Sequence, residues 1–180
     1  MKKRNIIISL IMAISLLAIS TGSSVLAVDH STHYSLMWWV DWNGHEDDVE
    51  WWYDQMGTKD YYDIVDDAAT AWNNSGTIIY MLEVANKGDS VLRIYSKNYG
   101  DNGWYGLMIP YVGFGNNNLN EYYTLTDSQW TIVAAHEMGH SHGLDHYDCE
   151  TESELMHTPC INRGNPNPYI GDIAGINAKY

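Results

Sequence analysis

Apolar positions along the chain fall into runs with two different periods. Tyr34 to Val40 is apolar and aromatic and reads as a strand. Asp41 to Glu50 is polar and acidic, with Asn43-Gly44 as a turn signal, and reads as a loop. From Lys59 to Asn74 the period changes: Tyr61, Ile64, Ala68, Ala71 and Trp72 recur at helical spacing, and Asn73, Asn74 and Gly76 supply the stop. Thr77 to Ala85 and Val91 to Lys97 read as strands around a Lys87-Gly88-Asp89 turn. Trp104 to Val112 reads as another strand, and Pro110 suits it to a sheet edge, where a missing N–H costs no ladder bond. Phe114 to Asn120 reads as a Gly/Asn loop and Glu121 to Leu125 as one more short strand. Thr126 and Gln129 form a capping box, and the apolar positions Trp130, Ile132, Val133, Ala134 and Met138 run on to Gly143, a helix stop. Ile170 to Lys179 reads as a last helix. Strands followed by helices packed on a sheet predict an α/β (α+β) domain.

The first 27 residues stand apart. Lys2, Lys3 and Arg4 precede an apolar run from Ile6 to Ile19, and Val25-Leu26-Ala27 offers small residues for cleavage. This is the pattern of a secretory signal peptide, and the run is short of the roughly 20 residues a bilayer span needs. The expectation is a signal peptide over 1–27, a domain over 28–180, and a secreted, extracellular product with no stable membrane association. The chain of 180 residues has 9 Lys+Arg against 23 Asp+Glu and a net charge of −14. Losing three cations with the leader makes the remainder more acidic still. Nucleic acid is excluded as a partner, because no basic footprint exists to displace counterions from phosphates. The size suits one core, and a monomer is expected. Asn73-Asn74-Ser75 fits a glycosylation sequon, which matters only in a eukaryotic secretory route.

There are two cysteines, Cys149 and Cys160. In an exported chain such a pair is most simply one disulfide, with free thiols or a zinc pair as the competing readings.

The chemistry is concentrated on the second helix. His136-Glu137-Met138-Gly139-His140 continues through Gly143 to His146 as HExxHxxGxxH. Residues four apart share a helix face, so His136 and His140 can reach one ion. Glu137 sits beside them without filling a metal position. Gly143 lets the chain leave the helix and turn back, so that His146 supplies a third nitrogen. Three protein ligands with one open position is the catalytic zinc arrangement. Multiplying residue frequencies over the five fixed positions gives a chance occurrence of roughly 6 in 100,000. His142 and His146 are also four apart, but no glutamate follows His142, so His142 reads as a neighbour. His30, His33, His45 and His157 lack supporting spacing and read as ordinary polar residues.

The stretch Val133 to His146 resembles the active-site helix of metzincin zinc endopeptidases, and of the matrixins among them. Glu154-Leu155-Met156 looks like their methionine turn, and Asp172-Ile173-Ala174-Gly175-Ile176-Asn177 resembles the final matrixin helix. Trp72 also matches. The resemblance is strong over 126–180 and loose over 34–125. It implies a zincin-like metalloprotease catalytic domain, a twisted mixed sheet carrying an active-site helix and a C-terminal helix. It further implies a secreted zinc-dependent endopeptidase of bacterial type, with one catalytic zinc on His136, His140 and His146. Glu137 would be the general base toward water at the metal, with Gly143 and Met156 as structural support. A peptide or protein substrate would lie extended beside residues 105–112. Tyr147 stands where matrixins usually carry serine, His142 where they carry an apolar residue, and Thr158 where astacins carry tyrosine. Both cysteines lie downstream of the metal motif, so a Cys–zinc latency bond is not expected. Calcium is a weaker candidate at the loops of Asp41, Glu46, Asp47, Asp48 and Asp101, without EF-hand spacing. Two other readings stay open: a zinc-binding module without protease activity, and a zinc hydrolase of a non-peptide amide or ester.

Overall fold

The computed structural model describes residues 29–40, 47–148 and 153–180. The proposed leader, Asp41, His45, Glu46 and Cys149 lie outside the described residues. Among the described residues, seven strands and three α-helices run in the order β1 (Ser35–Leu36), β2 (Val49–Gln55), α1 (Tyr62–Asn73), β3 (Met81–Glu83), β4 (Leu92–Lys97), β5 (Gly106–Tyr111), β6 (Phe114–Asn120), α2 (Asp127–Ser141), β7 (Leu144–Asp145) and α3 (Ile170–Lys179).

Five strands form a mixed sheet in the order β3-β2-β4-β6-β5. The β2–β3, β2–β4 and β4–β6 pairs are parallel, and β5 runs antiparallel to β6. Pro110 lies in the edge strand, as its missing N–H requires. Alternation along β2 puts Val49 and Trp51 into the core. Helix α1 buries Ile64, Val65, Ala68, Ala69, Ala71 and Trp72, and the Trp72 indole donates to the Ala135 carbonyl of α2 at 2.9 Å. That bond fixes one helix against the other at the level of the histidines.

Helix α2 starts as its capping box dictates. The Thr126 hydroxyl accepts from the Gln129 amide at 3.3 Å, and the Gln129 side chain accepts from the Thr126 amide at 3.0 Å. Every residue from Trp130 to Gly139 is buried, so the helix runs through the middle of the molecule rather than along its surface. Gly143 has φ +84, the left-handed conformation expected where the chain leaves the helix. The two residues after it pair as β7 with β1.

Four local expectations are corrected. Residues 114–120 form β6, not a loop, because its asparagines are structural. Asn120 donates to the carbonyls of Gly100 at 3.0 Å and Trp104 at 3.2 Å, and Asn118 to that of Leu107 at 3.0 Å. Polar residues therefore fill buried strand positions by bonding the adjoining loop and the neighbouring strand. Glu121 to Leu125 is irregular, and the Glu121 carboxylate is taken up by the amides of Thr58 at 2.9 Å and Lys59 at 3.3 Å. The predicted acidic loop ends earlier than Glu50, where β2 has already begun, and the first strand shrinks to Ser35–Leu36. No helix of the described residues is long and apolar enough to cross a membrane.

Candidate metal centre

His136 and His140 project from the same face of α2, and the turn through Gly143 and β7 brings His146 against them. The His146 Nε2 lies 3.1 Å from the Nε2 atoms of both His136 and His140. The other ring nitrogens are engaged. His136 Nδ1 faces the Leu155 carbonyl at 2.7 Å, and His140 Nδ1 faces the Leu144 carbonyl at 2.8 Å. A carbonyl only accepts, so both Nδ1 atoms carry the proton and both Nε2 atoms present a lone pair to the shared point. Burial holds the His136 imidazole well below its ordinary pKa and takes His140 down to about 4, which keeps both rings neutral.

These residues fit zinc. Nitrogens at 2.0–2.1 Å from a tetrahedral ion are about 3.3–3.4 Å apart, close to the spacing here. Three imidazoles, each aimed by its Nε2 and two of them backed by a carbonyl, are the donor set of an open zinc site.

Glu137 is buried beside this point, and burial pushes its carboxyl up to about 8 while a bond from the Met108 amide of β5 opposes the shift. The edge strand lies directly on it. A Cβ at Gly106 would come within 2.6 Å of the Glu137 Cγ and Oε1. The strand thus needs glycine there for the carboxylate to reach the cleft. Gly106 and the Met108 amide escape sequence reading, although a glycine inside a strand pattern is the signal of a close approach.

The cleft has a volume of about 670 Å³. Its walls are β5 from Gly106 to Met108 on one side and Thr158 to Ile161 on the other, with His136, Glu137, His140 and His146 on the floor. Beneath the histidines, Met156 is buried, and its sulfur occupies the space a Cβ on Gly139 would need. The Asp172 carboxylate accepts from the amides of Leu155 at 2.7 Å, Met156 at 3.1 Å and Tyr169 at 2.7 Å, so the start of α3 holds the turn that orients His136.

The predicted ligands, the glutamate, Gly143 and Met156 are therefore brought together. Cys160 stands in the cleft wall, and burial, with the nearby Glu137 charge, pushes its thiol pKa up to about 12. Its expected bond to Cys149 lies outside the described residues. His142 is fully buried and makes no contact with the metal point. Among the described acidic residues proposed for calcium, Asp47, Asp48 and Asp101 do not converge with other ligands. His30 and His33, in contrast, are not ordinary polar residues: both converge on the buried Glu154.

No family model matches the chain, and no curated protein matches it. Among solved structures it is similar to a chain of the GM1-bound form of the ECX AB5 holotoxin, with a TM-score of 0.58 and 16% identity over 84% of this chain and 90% of that one. The likeness concerns fold alone. It corrects the expected fold name: the match carries the name of a toxin and not of a zincin-like protease. The fold is accordingly a small mixed sheet with three helices. The physical reason the sequence misled is that the metal motif occupies one helix and its exit turn, and a local motif does not determine the arrangement of distant strands.

Proposed function

We propose that this protein is an exported zinc-dependent endopeptidase whose active site resembles that of the metzincins. The observation that carries the reading is the meeting of three imidazole Nε2 atoms beside a buried glutamate, in a cleft bounded by a sheet edge. His136, His140 and His146 would hold the ion. When bound, zinc supplies Lewis acidity to a carbonyl and lowers the pKa of water.

The remaining steps belong to the chain. The outer edge of β5 offers its backbone to an extended peptide, which would add as a further strand. Peptide laid there passes over Gly106, and so over the Glu137 carboxylate. Glu137 takes a proton from the attacking water and returns it to the leaving amine. Its burial matches this task, because a carboxylate poorly solvated in the cleft is a stronger base than one in water. The apolar wall from Thr158 to Ile161 excludes water and faces the substrate side chains.

The test is digestion of an unfolded protein such as casein. Cleavage should disappear with a zinc chelator. Glu137→Ala should keep zinc and lose at least 100-fold in rate, whereas His146→Ala should lose zinc. Normal turnover by Glu137→Ala would remove the general base. No cleavage by a folded, zinc-loaded chain would favour a zinc-binding module.

A further inference from the structure

We propose a second metal site, formed by His30, His33 and Glu154, that ties the first described residues to the methionine turn. It takes a divalent transition-metal ion, zinc by its donors. His30 Nδ1 lies 2.6 Å from Glu154 Oε1, His33 Nδ1 lies 3.5 Å from the same oxygen, and the two Nδ1 atoms are 3.2 Å apart. Three donor atoms of three side chains thus converge, from segments at opposite ends of the chain.

A hydrogen-bonded cluster accounts for this poorly. If both Nδ1 atoms carry protons, they point near each other at 3.2 Å, and only the His30 N–H is at a good hydrogen-bond length from the carboxylate, 2.6 Å against 3.5 Å for His33. If only His30 carries one, its proton goes to the carboxylate and leaves the His33 nitrogen facing a donor already committed. One cation in place of the protons satisfies all three lone pairs together.

The surroundings are those of a built site. Glu154 is fully buried and His30 nearly so. The His33 ring stacks on Tyr147 with centroids 5.4 Å apart, and Tyr169 packs edge-on against His30 at 5.1 Å. A Cβ at Gly171 would strike the His33 carbonyl and come within 2.9 Å of the Glu154 Cγ, so the start of α3 closes over the cluster only because that residue is glycine. Leu155, next to Glu154, presents the carbonyl that orients His136. A metal here would stiffen the support of the first site without touching its ligands. The assignment does not depend on the proteolytic reading.

The experiment strips the purified protein with a chelator, restores zinc, dialyses against zinc-free buffer and counts zinc per chain. Wild type should retain two. His33→Gln and Glu154→Gln should each retain one and stay folded by circular dichroism, with His33→Gln still holding the His136 site. His146→Ala should also retain one, and its combination with His33→Gln none. One zinc in wild type, with none in His146→Ala, would overturn the second site, as would two zinc ions in His33→Gln. Cobalt in place of zinc gives a second readout: two distinct visible absorption sets in wild type and one in His33→Gln. Casein cleavage measured on the same samples reports on the first site separately.

Discussion

His142 carries an imidazole into a place suited to hydrocarbon. Its ring is fully buried, edge-on to Trp72 at 4.9 Å, and neither ring nitrogen has a hydrogen-bond partner among the described residues. Burial lowers its pKa to about 3, so the ring stays neutral at ordinary pH. Unpaired buried polar atoms cost more than they return, so His142→Leu should raise stability by about 1–2 kcal/mol. A rise in the denaturant midpoint at constant slope would show it, and a fall would mean the contact with Trp72 outweighs the unpaired nitrogens. At this scale the sequence was legible where chemistry is local. His136, Glu137, His140 and His146 announce themselves by spacing alone. Gly106 did not, because its role is a contact between a strand and a helix far apart in the chain. The His30, His33 and Glu154 cluster was hidden for the same reason.

Among the elements, α2 shows how packing overrides propensity. Gly139 sits inside the helix, where alanine would ordinarily be better by about 1 kcal/mol. Here a Cβ would meet the Met156 sulfur and come within 3.2 Å of the Trp72 ring. Gly139→Ala should therefore destabilise by about 1–3 kcal/mol despite its better propensity, read as a lower thermal midpoint. An unchanged or higher midpoint would mean that Met156 can move aside. The helices were readable because each has a cap or a periodic face: α2 begins after Thr126, and α3 spans Ile170–Lys179 as expected. Strand β6 was not readable. Its buried asparagines serve a loop and a neighbouring strand that only the folded sheet brings near, so its composition mimics a turn.

In the whole molecule, one carboxylate joins the last helix to the candidate metal centre. Asp172 gathers three backbone amides, two of them from the turn that carries Leu155 and Met156. Asp172→Asn replaces one acceptor oxygen with a donor that faces those amides. It should cost about 2–4 kcal/mol and weaken zinc binding, because the Leu155 carbonyl then orients His136 less firmly. Calorimetric titration with zinc beside a denaturation curve would separate the two effects, and wild-type affinity in a destabilised variant would confine Asp172 to stability. The order of the strands, unlike the metal motif, is written in pairings between remote segments and was not legible. The short β1–β7 pair has a kinetic consequence of the same origin. His136 and His140 become neighbours as soon as α2 forms, but His146 follows β7, whose partner β1 lies near the opposite end of the chain. Closing so long a loop is a late and slow event in folding. A growing chain therefore passes through a stage with two imidazoles in place and the third absent, and the proposed three-nitrogen site is complete only when the topology is.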